Sequence, residues 1–169
     1  MGTHDDQSVY RCSFNNYPPD AKIGHSVKIY DDVVIGSGTE IADGCVIRDR
    51  VIIGDKVTVD RQTIIDSGSV IKNGATIGGG TEFGKGCTVG KHAIVGNQVE
   101  AGDQVEVGKN SRIDDNTKIE DQVKIGKRAY VGYGAEIKSK LEVMAGEKVQ
   151  PWEVICTIDG VRWPNPVNN

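Results

Sequence analysis

Three lysines spaced 18 residues apart, Lys91, Lys109 and Lys127, are the chain's most distinctive set of reactive side chains, with Arg128 beside the last and Arg112 between them in sequence. If that spacing stacks them in space, the ammonium groups repel one another unless their stems splay or they share an anion. Two readings stand. The column holds a phosphate-bearing ligand, or it is a set of solvated lysines. Two histidines, His25 and His92, can serve as general base near neutral pH, and His92 directly follows Lys91. Asp43 lies 18 residues after His25, the same interval as between the lysines. It either orients an imidazole or forms a solvated surface pair with it. The cysteines, Cys12, Cys45, Cys87 and Cys156, are scattered and form no Cys-x-x-Cys. They read as small core fillers in a reducing cytoplasm rather than disulfides or metal ligands. There is no nucleophilic Ser–His–Asp set and no phosphate-binding loop, and Gly78-Gly79-Gly80 reads as corner chemistry.

These residues are positioned by a strict period. From Ile23 through Ile29, Ile35 and onward to Val143, every sixth residue is apolar, over 126 residues (23–148), or 126/6 = 21 hexads. At 37% hydrophobic composition, chance would give such a run with a probability on the order of one in a billion. A period of six is not helical. The position four further on, from Val27, Val33 and Thr39 to Leu141, is aliphatic or small until Glu147 breaks it. Two inward positions separated by one residue are strand spacing. The Gly, Asn, Asp, Ser and Lys residues between them suit corners that need positive φ. Each hexad is therefore one short strand and one turn, and the repeat marks a stacked array.

This pattern resembles the hexapeptide-repeat superfamily, which includes sugar-nucleotide acyltransferases, serine acetyltransferases and γ-class carbonic anhydrases. The resemblance implies an all-β fold, a left-handed parallel β-helix with three hexads per coil. That makes 21/3 = 7 triangular coils and places residues 18 apart one above another. It also implies a homotrimer. Acyltransferases of the family use a corner histidine as general base and bind an acyl thioester between coils. On that basis His92 or His25 would be catalytic. Lys91, Lys109, Lys127, Arg128 and Arg112 would hold the phosphates of coenzyme A or acetyl-CoA. Many members carry a loop inserted into one hexad; here no hexad is interrupted. A metal site of the carbonic anhydrase kind needs histidines on adjacent coils. His25 and His92 fall on different corners, so no metal is expected.

The rest of the chain bounds the reading. Net charge is −4 and the pI is near 5.4, against non-specific nucleic-acid binding. No apolar run reaches membrane-spanning length. Met1 to Asp6 lacks an apolar signal segment, and Asp6 sits where a myristoylation motif needs Ser or Thr. A cytoplasmic protein is expected. Residues 1–22, with Val9, Tyr10, Phe14 and Tyr17, read as a cap on the first coil or as a partner-binding arm. Residues 149–169 read as leaving the helix at Pro151 to form a hairpin turning at Asp159-Gly160. The outward ladders Val34, Ile52, Val70 and Val46, Ile64 are apolar, as at an interface. Glu100, Lys118, Glu136 and Glu106, Lys124, Glu142 alternate in charge, as on a solvated face. The uninterrupted repeat and the few catalytic candidates favour a non-catalytic homotrimer for assembly or small-anion binding. An acyl-CoA-dependent acyltransferase is the alternative.

Overall fold

The computed structural model describes residues 10–11, 17–158 and 160–163. Each hexad is a two-residue strand and a corner, as in Val34–Ile35, Glu40–Ile41 and Val46–Ile47. Every third strand pairs in parallel at an offset of 18, Val34 with Ile52 and Ile35 with Ile53. Three sheets of seven, eight and ten strands result. The chain is a left-handed parallel β-helix of about seven turns.

The period explains the packing. Ile35, Ile53, Ile71 and Val89 are buried as the second residue of each seven-stranded-sheet strand, stacked one coil apart, and Val33 and Val51 fill the adjoining corner. Where that corner position carries a hydroxyl, the group finds a backbone partner. Thr39 Oγ1 donates to the Gly54 carbonyl at 2.7 Å and accepts the Val57 N–H at 3.2 Å. Cys45 and Cys87 are free, buried thiols at the same position, directed at the carbonyls of Asp60 and Gly102. Burial pushes both thiols up, Cys87 to about 11, so they are unreactive fillers. Cys12 lies outside the described residues.

The ends differ from the simplest expectation. Tyr10–Arg11 pairs in parallel with Lys28–Ile29, adding a strand to the ten-stranded sheet. Val9 and Phe14 lie outside the described residues. At the other end, stacking runs past residue 148. Lys148–Val149 pairs with Tyr130–Val131, and Val154–Ile155 pairs with Glu136–Ile137. Val149 and Ile155 continue the six-residue period and are buried. Glu147 does not end the core. It accepts the Met144 N–H at 2.6 Å and forms an ion pair with Arg162 of the hairpin. That hairpin pairs Val154–Ile158 antiparallel with Val161–Trp163; Asp159 lies outside the described residues.

The charged ladders have the expected register, Glu100 with Lys118 and Lys118 with Glu136. In the second ladder Lys124 keeps its register partner Glu106, but in the first Glu136 turns elsewhere. Glu136 pairs with Lys138 at 2.5 Å, and Lys138 also reaches Glu120 at 2.9 Å.

Candidate anion-binding groove

Lys91, Lys109 and Lys127 stack on the corner between the seven- and eight-stranded sheets, each the first residue of its turn and each exposed. An open groove of about 660 Å³ runs beside them along the helix axis. Its wall carries five lysines (Lys72, Lys91, Lys109, Lys124, Lys127) against two carboxylates, Glu106 and Glu142. Lys124 is 3.6 Å from Glu106. Among the described residues, none of the three column lysines has an ion-pair partner. A local excess of positive charge on a chain of net charge −4 focuses anions there.

The floor of the groove is a glycine column, Gly90, Gly108 and Gly126, spaced like the lysines. Glycine is needed because the next coil's backbone comes close. A Cβ added to Gly90 would lie 2.6 Å from the Lys109 nitrogen, and one at Gly108 would lie 2.6 Å from the Lys127 nitrogen. Sequence reading found the lysine column but missed the glycine column, Lys72 and Lys124. The signal was available: Lys72, Gly90, Gly108 and Gly126 occupy one 18-residue column.

His92 is on the same corner, next to Lys91, in a left-handed conformation at φ 56°. Its N–H donates to the Asn73 carbonyl at 3.1 Å. Its ring lies over Gly74 of the preceding coil, where an added Cβ would be 2.6 Å from Cε1. His25 sits on a different corner. Asp43 accepts its backbone N–H at 2.8 Å. Asp43 thus holds the turn through the backbone amide, and among the described residues no hydrogen bond joins it to the imidazole. Arg128 is exposed on the lysine corner at φ 59°. Arg112 is drawn away. From its strand on the eight-stranded sheet its Nε is 2.7 Å from Asp114 Oδ1, just past that strand, and Tyr130 donates its hydroxyl to the other oxygen at 2.6 Å. That bond to Asp114 raises the Tyr130 phenol above its ordinary pKa.

Of the outward apolar ladders, Val34 and Ile52 are 52% and 46% exposed, and Val70, Val46 and Ile64 are half-buried. Among the described residues, no three or more His, Cys, Asp or Glu side chains gather where they could hold a metal ion. No helix there is long and apolar enough to cross a membrane.

Comparison with known proteins follows the repeat. Residues 16–110 match the family described as the GMPPB C-terminal domain, and residues 104–139 match the bacterial transferase hexapeptide, six repeats. No curated protein matches the chain. Among solved structures, the UDP-N-acetylglucosamine O-acyltransferase LpxA of Moraxella catarrhalis aligns with a TM-score of 0.63 at 18% identity. The alignment covers 79% of this chain and 60% of that one. The UDP-N-acetylglucosamine acyltransferase of Campylobacter jejuni aligns with a TM-score of 0.51 at 17% identity, over 83% and 71% of the two chains. The chain thus spans about 60% of the length of the Moraxella protein. At such identities the likeness is one of fold.

Proposed function

We propose, from the premise that the chain belongs to the GMPPB C-terminal-domain family of hexapeptide-repeat proteins, that its lysine groove binds coenzyme A thioesters and that the protein is a small acyltransferase. The observation that carries the reading is the column Lys91, Lys109 and Lys127, unpaired among the described residues, beside a groove long enough to span several coils. A phosphate-bearing ligand relieves the mutual repulsion of the column. Arg128 extends the positive charge at its C-terminal end.

His92 is the histidine placed to act, since it shares the corner with the lysines. Its imidazole would take the proton from an acceptor hydroxyl or amine. The acceptor oxygen or nitrogen then bonds to the acyl carbon, the carbon–sulfur bond breaks, and the proton passes to the departing thiolate. His25 lies on another corner and would reach a groove only across a subunit boundary. The exposed ladder of Val34 and Ile52, with the half-buried Val70, Val46 and Ile64, supports a homotrimer in which those faces meet. One observation favours a second reading, a non-catalytic anion-binding or assembly protein: no described carboxylate accepts a hydrogen bond from either imidazole, so neither base is oriented by a third group.

Calorimetric titration with coenzyme A and acetyl-CoA, beside Lys109→Ala, tests the binding. The expected result is saturable binding that weakens about tenfold in the variant. Absence of binding at millimolar ligand would return the lysines to solvated surface. Turnover of acetyl-CoA separates the two readings. Loss of turnover in His92→Ala with binding retained supports the transferase, and full turnover in both His92→Ala and His25→Ala removes it.

A further inference from the structure

The corners of this helix carry a repeated device that the lysine column lacks. In seven turns the first amide N–H donates to the Oδ1 of an Asp or Asn one coil further on. His25 uses Asp43, Asp31 uses Asp49, Ser37 uses Asp55, Gly79 uses Asn97, and Lys85 uses Asp103, at 2.7–3.1 Å. Asn97 and Asp103 use Asp115 and Asp121 in the same way. Several of these oxygens sit against the preceding glycine. An added Cβ at Gly24 or Gly36 would fall 2.5 Å from the Oδ1 of Asp43 or Asp55. In those of the seven turns that follow a glycine, the glycine, turn amide and side-chain oxygen thus form one small oxygen-binding slot.

The same backbone recurs at Gly90-Lys91, Gly108-Lys109 and Gly126-Lys127. A Cβ at Gly36 would be 2.5 Å from the Asp55 nitrogen, and one at Gly90 would be 2.6 Å from the Lys109 nitrogen. The side chain that would supply the oxygen is different. It is Lys109 for the Lys91 amide, Lys127 for the Lys109 amide and Ala145 for the Lys127 amide, and none of these residues carries a side-chain acceptor. Among the described residues the N–H groups of Lys91, Lys109 and Lys127 have no acceptor, backbone or side chain. Three consecutive coils therefore present an amide donor in an anion-accepting geometry, each flanked by an ammonium group.

We infer that this corner is a diphosphate site, in which phosphoryl oxygens of a diphosphate-bearing ligand occupy adjacent turn-amide slots in place of the aspartate oxygens used elsewhere. Adjacent slots are separated by the coil spacing of roughly 4.8 Å. That suits two phosphoryl groups joined by one bridging oxygen and leaves a lone phosphate in one slot only. The inference rests on the anion-binding part of the acyltransferase reading and sharpens it: the recognised element is the diphosphate, and the backbone recognises it together with the lysines. Coenzyme A and a nucleoside-diphosphate sugar both carry that element.

The test uses two substitutions at one position. Lys109→Met removes the charge and leaves the Lys91 amide open. Lys109→Asn removes the same charge and supplies the oxygen that Asn97 supplies to Gly79 elsewhere, closing the slot with a residue this fold already accepts there. The full chain is titrated with inorganic phosphate, inorganic pyrophosphate, ADP, a UDP-sugar and coenzyme A. Pyrophosphate is expected to bind more tightly than phosphate. Lys109→Met should weaken it about tenfold, and Lys109→Asn about tenfold further. Asn should also raise the melting temperature above that of Met, because it satisfies the Lys91 amide. Tighter coenzyme A than UDP-sugar or ADP assigns the diphosphate to an acyl donor, and the reverse order assigns it to a nucleotide sugar; both orders support the site. Equal weakening by Met and Asn, or equal binding of phosphate and pyrophosphate, overturns the diphosphate site while leaving coenzyme A binding in place. Failure of every ligand, coenzyme A included, overturns both.

Discussion

On the seven-stranded sheet the first three coils show Val34, Ile52 and Val70 to the outside, and the last three show Glu106, Lys124 and Glu142. The backbone does not change between them. Ile52 pairs with Val70 as Lys124 pairs with Glu142, at the same 18-residue offset. The inward neighbours Ile53, Ile71, Ile125 and Val143 are all buried. One half of the face is apolar and the other charged, with the lysine groove at the charged end. The period constrains only the inward residues, so outward residues and turn side chains are free to specialise coil by coil. Function in this molecule has to be sought in departures from the repeat.

The contrast between inward and outward residues predicts the largest effect. Ile53→Ala should cost about 2–5 kcal/mol, because the stacked core cannot collapse around the cavity. Ile52→Ala, one residue away on the same strand, should stay within about 0.5 kcal/mol in the dissociated chain. Chemical denaturation measures both, and similar losses would refute the division of the face. Ile52→Glu then tests the apolar half as the contact of the proposed trimer. It should leave the circular dichroism of the fold intact while native mass spectrometry shows the trimer lost. An unchanged trimer would remove this ladder from the interface.

Glycine contacts come next. Gly108→Ala should destabilise the helix by about 1–3 kcal/mol, since the new methyl overlaps backbone of the next coil. At Gly68 nothing lies within 4 Å of an added Cβ, but its φ of 72° disfavours a side chain. Gly68→Asn, a residue tolerant of that conformation, should therefore cost far less than Gly108→Ala. Equal melting temperatures for the two would contradict the close approach of coils at the groove floor.

Much of this was legible in the sequence. The run from Ile23 to Val143 was enough to specify strands, corners and core, and Cys45 and Cys87 as fillers, because burial of one side of a strand imposes its period directly. The far end was misread at Glu147, although Val149 and Ile155 keep the period. A charge in an inward column signals the end of a core only when no partner returns to it, and Arg162 arrives from 15 residues further on. The site was half legible. The hexad spacing, together with the three hexads per coil that the family resemblance implies, brought Lys91, Lys109 and Lys127 together, yet spacing cannot say where an N–H points. For that reason Asp43 was read as either orienting the His25 ring or forming a solvated pair with it, when it accepts the backbone amide, and Arg112 was credited to the groove rather than to Asp114.

The smallest predicted effect separates register from pairing on the ten-stranded sheet. Strand register sets Glu136 opposite Lys118, yet its carboxylate lies with Lys138, which also reaches Glu120. Hydrogen bonds from Lys138 and from Ser139 hold the Glu120 carboxyl below its ordinary value of 4.5, and Lys138 is raised by Glu136 and Glu120. A carboxyl lowered in the folded state stabilises it above the unfolded pKa, and that contribution fades as the pH falls through the folded value. Both groups are at the surface, so solvent screens the gain. Carbon-detected NMR titration of Glu120 should give a midpoint below 4.5 that rises in Lys138→Met and in 1 M salt. A midpoint that ignores Lys138→Met would show that Lys138 does not hold the Glu120 carboxylate, and the diversion of the ladder through this corner lysine would fall with it.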